Sequence, residues 1–416
     1  MSLKSSRKKV LFVCQYFYPE TFRGNDVAFH LSKEGHEVHV VTGIPNYPEG
    51  RFYPEFGLFK RRHEMIHGVK VTRLPIIPRG KNNKILLMLN YCSYFIIASI
   101  WMFFHAIFHK YDIVFCQQLS PVMMSAPAII YKRLRKVPLY TWVLDLWPES
   151  LSVVGGVDNK YILGFFDLFV KSQYKHSDKI LISSKSFRES ILTYGDYEEK
   201  IIYYPQWADE SLYDMLHEVS LPQIPNGFVV MFAGAIGEAH GMECNMKAAC
   251  LTSNHKDIHW VFVGDGRKLE WVRKFVKNHQ LESTVHTLGR FAPEMMPSFF
   301  EKADVMLVSL TDSLLFNLYA PAKLSSYMAA GRPILAVLNG EGRNVVKDAN
   351  CGWSINAGDA EGLAKLVIEL SMMDKSVLAE IGQNSFKYYN EYFEKNKCLK
   401  KLEEIMGLKE DLKEIG

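Results

Sequence analysis

Short apolar runs rich in Val and Ile recur along this chain, each followed by a stretch of helical character. In the first half they are Lys9–Cys14, Glu37–Thr42, Val69–Pro75, Asp112–Cys116, Leu139–Leu144, Ile180–Ser183 and Ile201–Tyr204. Runs of this kind, spaced by helices, indicate a parallel sheet covered on both faces. An irregular stretch follows at Tyr204–Asn226, ending LPQIPNG. The rhythm then restarts with FVVMFAG, HWVFVGDG, VHTLGR, DVMLVSL and RPILAV. A chain of 416 residues is too long for one ordinary core. The pattern predicts an α/β protein of two doubly wound domains facing a central cleft. Residues 1–205 make the first and 206–395 the second, and a helix within 396–416 packs back on the first. Sheets of this type bind ligands at the carboxyl ends of their strands.

Bulk properties remove several function classes. The net charge of +4 gives no support for nucleic acid as a partner, although a mildly basic surface suits anionic lipid or phosphate. The seven cysteines (Cys14, Cys92, Cys116, Cys244, Cys250, Cys351, Cys398) are dispersed and never form C-x-x-C. That usage fits a reducing cytoplasm and argues against a disulfide scaffold or a zinc site. The opening residues, MSLKSSRKK, lead straight into a strand without a signal-peptide core. The sequence also holds no D-x-D pair placed for a metal ion, no H-E-x-x-H and no P-loop, so neither a metal nor a cofactor is expected.

One segment departs from the soluble pattern. Ile85–Phe108, ILLMLNYCSYFIIASIWMFFHAIF, contains no Asp, Glu, Lys or Arg and is long enough to span a bilayer. It also carries Asn90, Tyr91, Ser93, Tyr94, Ser99 and His105, and basic residues flank both ends, which gives no orientation signal. The reading is a helix buried on one side in its domain and dipped on the other into a membrane interface.

Several strand-end loops carry candidate chemistry. In Asp304–Val337 a buried strand, a loop, a helix opened at Pro321 and closed at Gly331, and a second strand follow in order. The helix N-terminus, with Lys323 in its first turn, is suited to phosphate. In FAGAIGEAHGMECNMKAA, Gly234, Gly237 and Gly241 allow phosphate near the backbone, and His240 either donates to it or fills the loop. WVFVGDGRKLE and HTLGRFAPEMM place Gly264, Gly266 and Gly289 directly after strands. In the first half, Gly24 follows a strand and lets backbone approach a ligand. The loop Thr42–Gly57 is dense in Pro, Gly and Tyr. In VLDLWPES, Asp145 stands at a strand's carboxyl end beside Trp142 and Trp147. There it either accepts hydrogen bonds from sugar hydroxyls while an indole stacks on the sugar, or caps the next helix. Glu149 is the next candidate.

These residues carry a resemblance. PAKLSSYMAAGRPI (Pro321–Ile334) is similar to the donor-binding helix of the family 4 retaining glycosyltransferases. It resembles most the bacterial polysaccharide, O-antigen and capsule subgroup of the N-acetyl-fucosamine transferase type, whose form is P-S-K-L-x-E-Y-M-A-A-G-x-P. FYPE and GHEV in Gln15–Gly43, DLWPE at Asp145–Glu149 and PQWADE at the domain junction resemble further motifs of that family. The chain departs from it where the family places Glu at 326 and 318, which are Ser326 and Leu318 here.

The resemblance implies a GT-B fold of two Rossmann-like domains and transfer of a sugar, with retention, from a UDP-sugar to a lipid-diphosphate-linked saccharide. It places the nucleotide-sugar donor at Gly24, Gly234, Gly237, His240, Gly264, Gly266, Arg267, Arg290, Phe291, Pro321, Ala322, Lys323, Leu324 and Ser326. It places the acceptor and transferred sugar at Glu20, Asn46, Tyr47, Trp147 and Glu149. Asp145 and Lys323 are the implied catalytic residues, with Lys323 and its helix end neutralising the departing diphosphate in place of a metal ion. Helped by Arg23 or Arg267, Lys323 makes up for charges the wider family carries near Ala235 and His240. The implied location is cytoplasmic, peripheral on the inner face of the plasma membrane. Two other classes share the architecture: a nucleotide-sugar 2-epimerase, and a non-catalytic partner in a membrane glycan assembly, which Ser326 and Leu318 favour.

Overall fold

The structure is a computed structural model that describes residues 7–81, 83–153, 155–209 and 221–409. The chain forms two compact units, one of residues up to Tyr204 together with Leu399 onward, the other Pro205–Cys398. Much of the irregular stretch expected at Tyr204–Asn226, the end of PQWADE at Glu210, and the two chain ends lie outside the described residues.

The first unit holds an eight-stranded sheet in the order β3-β4-β2-β1-β5-β6-β7-β8. Its strands are β1 (Lys9–Val13), β2 (Glu37–Gly43), β3 (His63–Ile66), β4 (Val69–Leu74), β5 (Ile113–Gln118), β6 (Leu139–Val143), β7 (Lys179–Ile182) and β8 (Ile201–Tyr203). All pairs are parallel except β3 with β4, a hairpin turned at His67–Gly68. Sequence analysis missed β3 because its residues alternate in exposure at the sheet edge and offer no apolar run. Val10–Val13 are wholly buried, so both faces of β1 are covered. On one face Leu11, Val13, Val41 and Val114 pack against Tyr94, Ala98 and Met102 of the helix Lys84–Phe108. The last described helix, Lys395–Ile405, belongs mostly to this unit. Glu403 is buried there, within 3.4 Å of His30, and Lys401 donates to the Tyr203 carbonyl.

The second unit holds a six-stranded, all-parallel sheet in the order β11-β10-β9-β12-β13-β14. Its strands are β9 (Phe228–Ala233), β10 (Ile258–Val263), β11 (Val285–Gly289), β12 (Val305–Ser309), β13 (Ile334–Val337) and β14 (Gly352–Ile355). This is the doubly wound order in which the chain leaves the centre in both directions, and its switch point lies between β9 and β12. Strand β14 was also missed, for its four residues are all half-buried and the run is too short to read. In both units the candidate residues sit on loops at the carboxyl edge, where the two directions of winding leave a gap between connections.

Candidate active site

In the second unit the loops after β9, β10 and β11 are bound to one another through backbone. Gly234 N–H donates to Val263 O (2.8 Å), Gly264 N–H to Gly289 O (2.7 Å) and Ile236 N–H to Asp265 O (2.9 Å). A side chain on Gly264 would stand 1.8 Å from the Gly234 carbonyl, and φ there is +144°. Gly264 and Gly266, which the resemblance places at the donor, are required first by the packing of these loops. The missing Cβ atoms let loop meet loop: a side chain on Gly266 would stand 2.2 Å from the Ile236 carbonyl. Gly237 has φ −126°, and a side chain there would meet only the His240 ring at an ordinary 3.5 Å.

The helix Ala322–Ala329 begins at the carboxyl side of β12, with Pro321 just ahead of its first turn (φ −58°, ψ 133°). Tyr327 anchors it to the end of β9: its hydroxyl donates to Ala233 O (2.8 Å) and accepts from Ala233 N–H (2.9 Å). That anchor sets Lys323 beside Gly234, whose absent Cβ would lie 2.8 Å from Lys323 Cε. The Lys323 ammonium lies 3.5 Å from the centre of the Phe232 ring. It is buried and has no hydrogen-bond partner among the described residues. Burial lowers its pKa to about 7. A buried, unpartnered ammonium is costly, and an anion is the group that relieves it.

The geometry of His240 is compatible with both of its expected roles. Its Nδ1 accepts from Gly237 N–H (3.3 Å), which leaves the proton of the neutral ring on Nε2 as a donor. Burial and then the Lys323 charge push its pKa down to about 4, so the ring is neutral near pH 7. Ser309 holds this turn by donating to the His240 carbonyl (2.8 Å). Arg267 and Arg290 are exposed, and Phe291 packs on Phe299 at 4.9 Å. Leu324 is buried in its helix, Ala322 is exposed and Ser326 is half-buried. Among the described residues no group of three or more His, Cys, Asp or Glu is placed to hold a metal ion.

In the first unit several expectations are corrected. Glu20 is 1% exposed, and its carboxylate accepts from Asn46 N–H (2.8 Å), Tyr47 N–H (2.6 Å) and Phe17 N–H (3.3 Å). It holds two loops together and is closed to an acceptor. Asn46 is wholly buried, with its carbonyl oxygen taken by Arg79 N–H and its amide donating to Ile44 O. Trp147 is buried, its ring against Phe166 and its Nε1–H on Ser120 Oγ and Asp145, so no face is free for a sugar. Glu149 turns inward to Ser190 Oγ (2.7 Å). Gly24 lies in the first turn of the helix Arg23–Lys33, and the space of its missing side chain is filled by the Gln117 amide. Tyr47 is part-exposed. Asp145 is half-buried and accepts from the hydroxyls of Ser120 and Ser150 and from Trp147 Nε1–H, which fixes its orientation.

Two family models match in tandem: Glycosyltransferase Family 4 over residues 25–211 and Glycosyl transferases group 1 over 227–372, together about four-fifths of the chain. The chain belongs to the family 4 glycosyltransferases. Among relatives of this family 4 chain, a probable glycosyltransferase, WbjE, of Pseudomonas aeruginosa is 27% identical over 269 residues. That match covers 61% of this chain and 66% of WbjE, just under two thirds of its length. A putative colanic acid biosynthesis glycosyl transferase, WcaI, of Escherichia coli (strain K12) is 22% identical over 323 residues, covering 72% of this chain and 75% of that protein. Solved structures share the fold. Sucrose-phosphate synthase of Thermosynechococcus elongatus matches with TM-score 0.70 at 14% identity, covering 96% of this chain and 98% of that one. HepE of Anabaena, solved with UDP and glucose, matches with TM-score 0.67 at 14% identity, covering 96% and 100%. The architecture is GT-B: two Rossmann-like α/β domains.

Proposed function

We propose that this glycosyltransferase takes a sugar from a UDP-sugar and passes it, with retention at the anomeric carbon, to a lipid-diphosphate-linked saccharide in surface polysaccharide synthesis. The observation that carries the donor half is the buried, unpartnered Lys323 ammonium at the start of the Ala322–Ala329 helix. A diphosphate seated there gains the helix dipole, the Lys323 charge and the Nε2–H of His240, three contacts that strengthen as negative charge develops on the leaving group. In this reading the donor's own phosphate takes the acceptor proton, and no protein nucleophile is required. The names of WbjE and WcaI support a role in polysaccharide assembly, and the UDP bound by HepE makes UDP the first nucleotide to test.

The acceptor half rests on the Lys84–Phe108 helix. Its polar residues turn inward: Asn90 accepts from Gln15 Nε2 (2.8 Å), Tyr94 donates to Cys14 O (2.9 Å), and His105 meets the Tyr111 hydroxyl (3.0 Å). Its apolar residues turn outward, with Ile85, Met88, Ile96, Ile100, Phe104, Ile107 and Phe108 all at least half exposed. A helix on a water-facing surface has the opposite pattern. Each such side chain withdrawn from water contributes roughly 1.5–3 kcal/mol, so a few suffice to hold the protein on a membrane interface. The enzyme in this reading is cytoplasmic and peripheral on the inner face of the plasma membrane.

Calorimetric titration with UDP and GDP, with and without Mg²⁺, tests the donor site. UDP is expected to bind without metal, and Lys323→Ala to weaken it by about 100-fold, the range of a lost charge-assisted contact. A folded protein that binds neither nucleotide overturns the reading. For the membrane face, Ile100→Glu/Phe104→Glu should abolish co-flotation with phosphatidylglycerol vesicles without lowering the melting temperature. Equal flotation of the two proteins removes the helix from the proposal.

A further inference from the structure

Three loops at the carboxyl edge of the first sheet converge on one part-exposed feature that the donor chemistry does not use. The loop after β1 brings Tyr16 and Phe22, the loop after β2 brings Tyr47, and the loop after β4 brings Arg79. The rings of Tyr16 and Phe22 stack at 5.3 Å with 14° between planes, and Tyr47 closes the group at 5.3 Å from Phe22 and 5.8 Å from Tyr16. The Arg79 guanidinium lies over the Tyr47 ring, 4.8 Å from its centre. Tyr47 is 38% exposed. The Arg79 side chain makes no hydrogen bond and no ion pair within 4 Å among the described residues; it rests on the Tyr47 ring, and its charge acts at longer range on Glu20, Tyr16 and Tyr91. A planar cation with its donors unspent, resting on an aromatic ring, is the arrangement that takes up phosphate oxygens while the hydroxyl of the part-exposed Tyr47 remains to hydrogen-bond a sugar.

The feature is held from beneath. Glu20 binds the N–H groups of Phe17, Asn46 and Tyr47, which locks the loop after β1 to the loop after β2. Asn46 Oδ1 accepts from Arg79 N–H (2.9 Å), adding the loop after β4. Asn90 accepts from Gln15 Nε2 and donates to Ile77 O (2.6 Å) and to Asn46 Oδ1 (3.4 Å), which fastens all three to the Lys84–Phe108 helix. Gly80 N–H on Gly50 O (2.9 Å) closes the rim. Arg79 thus stands in the turn that leads directly into the outward-apolar helix, whose first turn exposes Ile85. An anion bound at Arg79 would sit beside the element proposed to meet the lipid.

We propose that Arg79, over the Tyr47–Phe22 shelf, is the subsite for the diphosphate of the acceptor, with the shelf receiving the sugar joined to it. Glu20, Asn46 and Asn90 are positioning residues for this subsite. The ligand is a glycosyl diphosphate, and its juxtaposition with the Lys84–Phe108 helix favours the prenyl-linked form over a free one. The inference rests on the transferase reading but answers to separate residues.

Inorganic pyrophosphate is titrated into wild type, Arg79→Ala, Lys323→Ala and the double variant, because the donor site also binds anions. Wild type should show two binding events, and each single variant should lose one of them by tenfold or more. The double variant should show none. Arg79→Ala matching wild type, with the double variant matching Lys323→Ala, overturns this subsite and leaves the donor site standing. Lys323→Ala matching wild type, with an Arg79-dependent event retained, overturns the donor site and leaves this one. The Arg79 side chain has no hydrogen bond to lose, and the backbone contact to Asn46 is kept in the Ala variant, which should therefore fold, as its melting curve checks. Geranyl diphosphate bearing N-acetylglucosamine should then bind more tightly than geranyl diphosphate, and Tyr47→Ala should erase that difference. Equal binding of the two in wild type overturns the sugar shelf. Geranyl diphosphate should bind more tightly than pyrophosphate, and equal affinity overturns the lipid-linked source.

Discussion

The carboxyl edges of the two sheets meet the same problem with different means. In each, several strand-end loops must be fixed within ångströms of one another. In the second unit backbone does this: Gly234, Gly264 and Ile236 exchange hydrogen bonds with the neighbouring loops at 2.7–2.9 Å. In the first unit buried side chains do it, with Glu20, Asn46 and Asn90 reaching across to the loops. The backbone solution leaves one charge, Lys323, buried and unpartnered. The side-chain solution leaves Arg79 half-buried over a part-exposed Tyr47. In the proposed reading the donor's diphosphate, common to UDP- and GDP-sugars, meets Lys323 and the helix end that this rigid backbone positions. Acceptors differ, and a rim of side chains can differ with them.

The largest effect expected from breaking this comparison is in the backbone half. In Gly264→Ala the new Cβ would stand 1.8 Å from the Gly234 carbonyl, which has no flexible end to yield. Added strain at φ +144° brings the expected loss to about 3 kcal/mol or more, measured by urea unfolding, with UDP binding lost as well. A shift under about 0.5 kcal/mol would show that the loops slide past one another freely.

Next is the side-chain half. Burial raises the Glu20 pKa from 4.5 to about 7, against three N–H donors and Arg79, which pull it down. The folded state therefore holds this proton more readily than the unfolded chain. The contribution of Glu20 to stability should fall as pH rises from about 4.5 to about 7 and stay level above, by on the order of 3 kcal/mol. Glu20→Gln should remove that slope from the difference between the two unfolding curves. Parallel curves would mean that the carboxyl stays ionised throughout.

Lys323 carries the third expectation. Its pKa of about 7 should return toward its ordinary value when a diphosphate arrives, so binding takes up a proton above that pH. Titrations of UDP at about pH 8 in buffers of different ionisation heat should show up to one proton taken up. At about pH 6 they should show almost none. Lys323→Met should show none at either. UDP affinity in wild type should also fall as pH rises through 7.

The smallest effect is at Ser326. Ser326→Glu restores the carboxylate that the resembling family carries and should change UDP affinity by less than about tenfold, because the diphosphate contacts remain in place. An inactive wild type revived by this change would assign the chain to a class that has lost its catalysis.

By itself the sequence determined the two αβ series, the Pro321–Gly331 helix with Lys323 in its first turn, and an apolar helix over Ile85–Phe108. These follow from apolar spacing and from Pro and Gly at helix ends, which are local. Tertiary structure alone decided which way side chains point. Asn90 and His105 turn inward on a helix whose apolar residues face out. Trp147 and Glu20, exposed strand-end candidates by position, are buried by neighbours distant in the chain, Phe166 and Asn46. Arg79 went unrecognised because its partner Tyr47 lies on another strand's loop. Its one local sign is its place between Pro78 and Gly80 just past a strand end. Periodicity records whether a position is buried against something; which residue it meets depends on strand order, which pairs segments by contacts that no local spacing encodes.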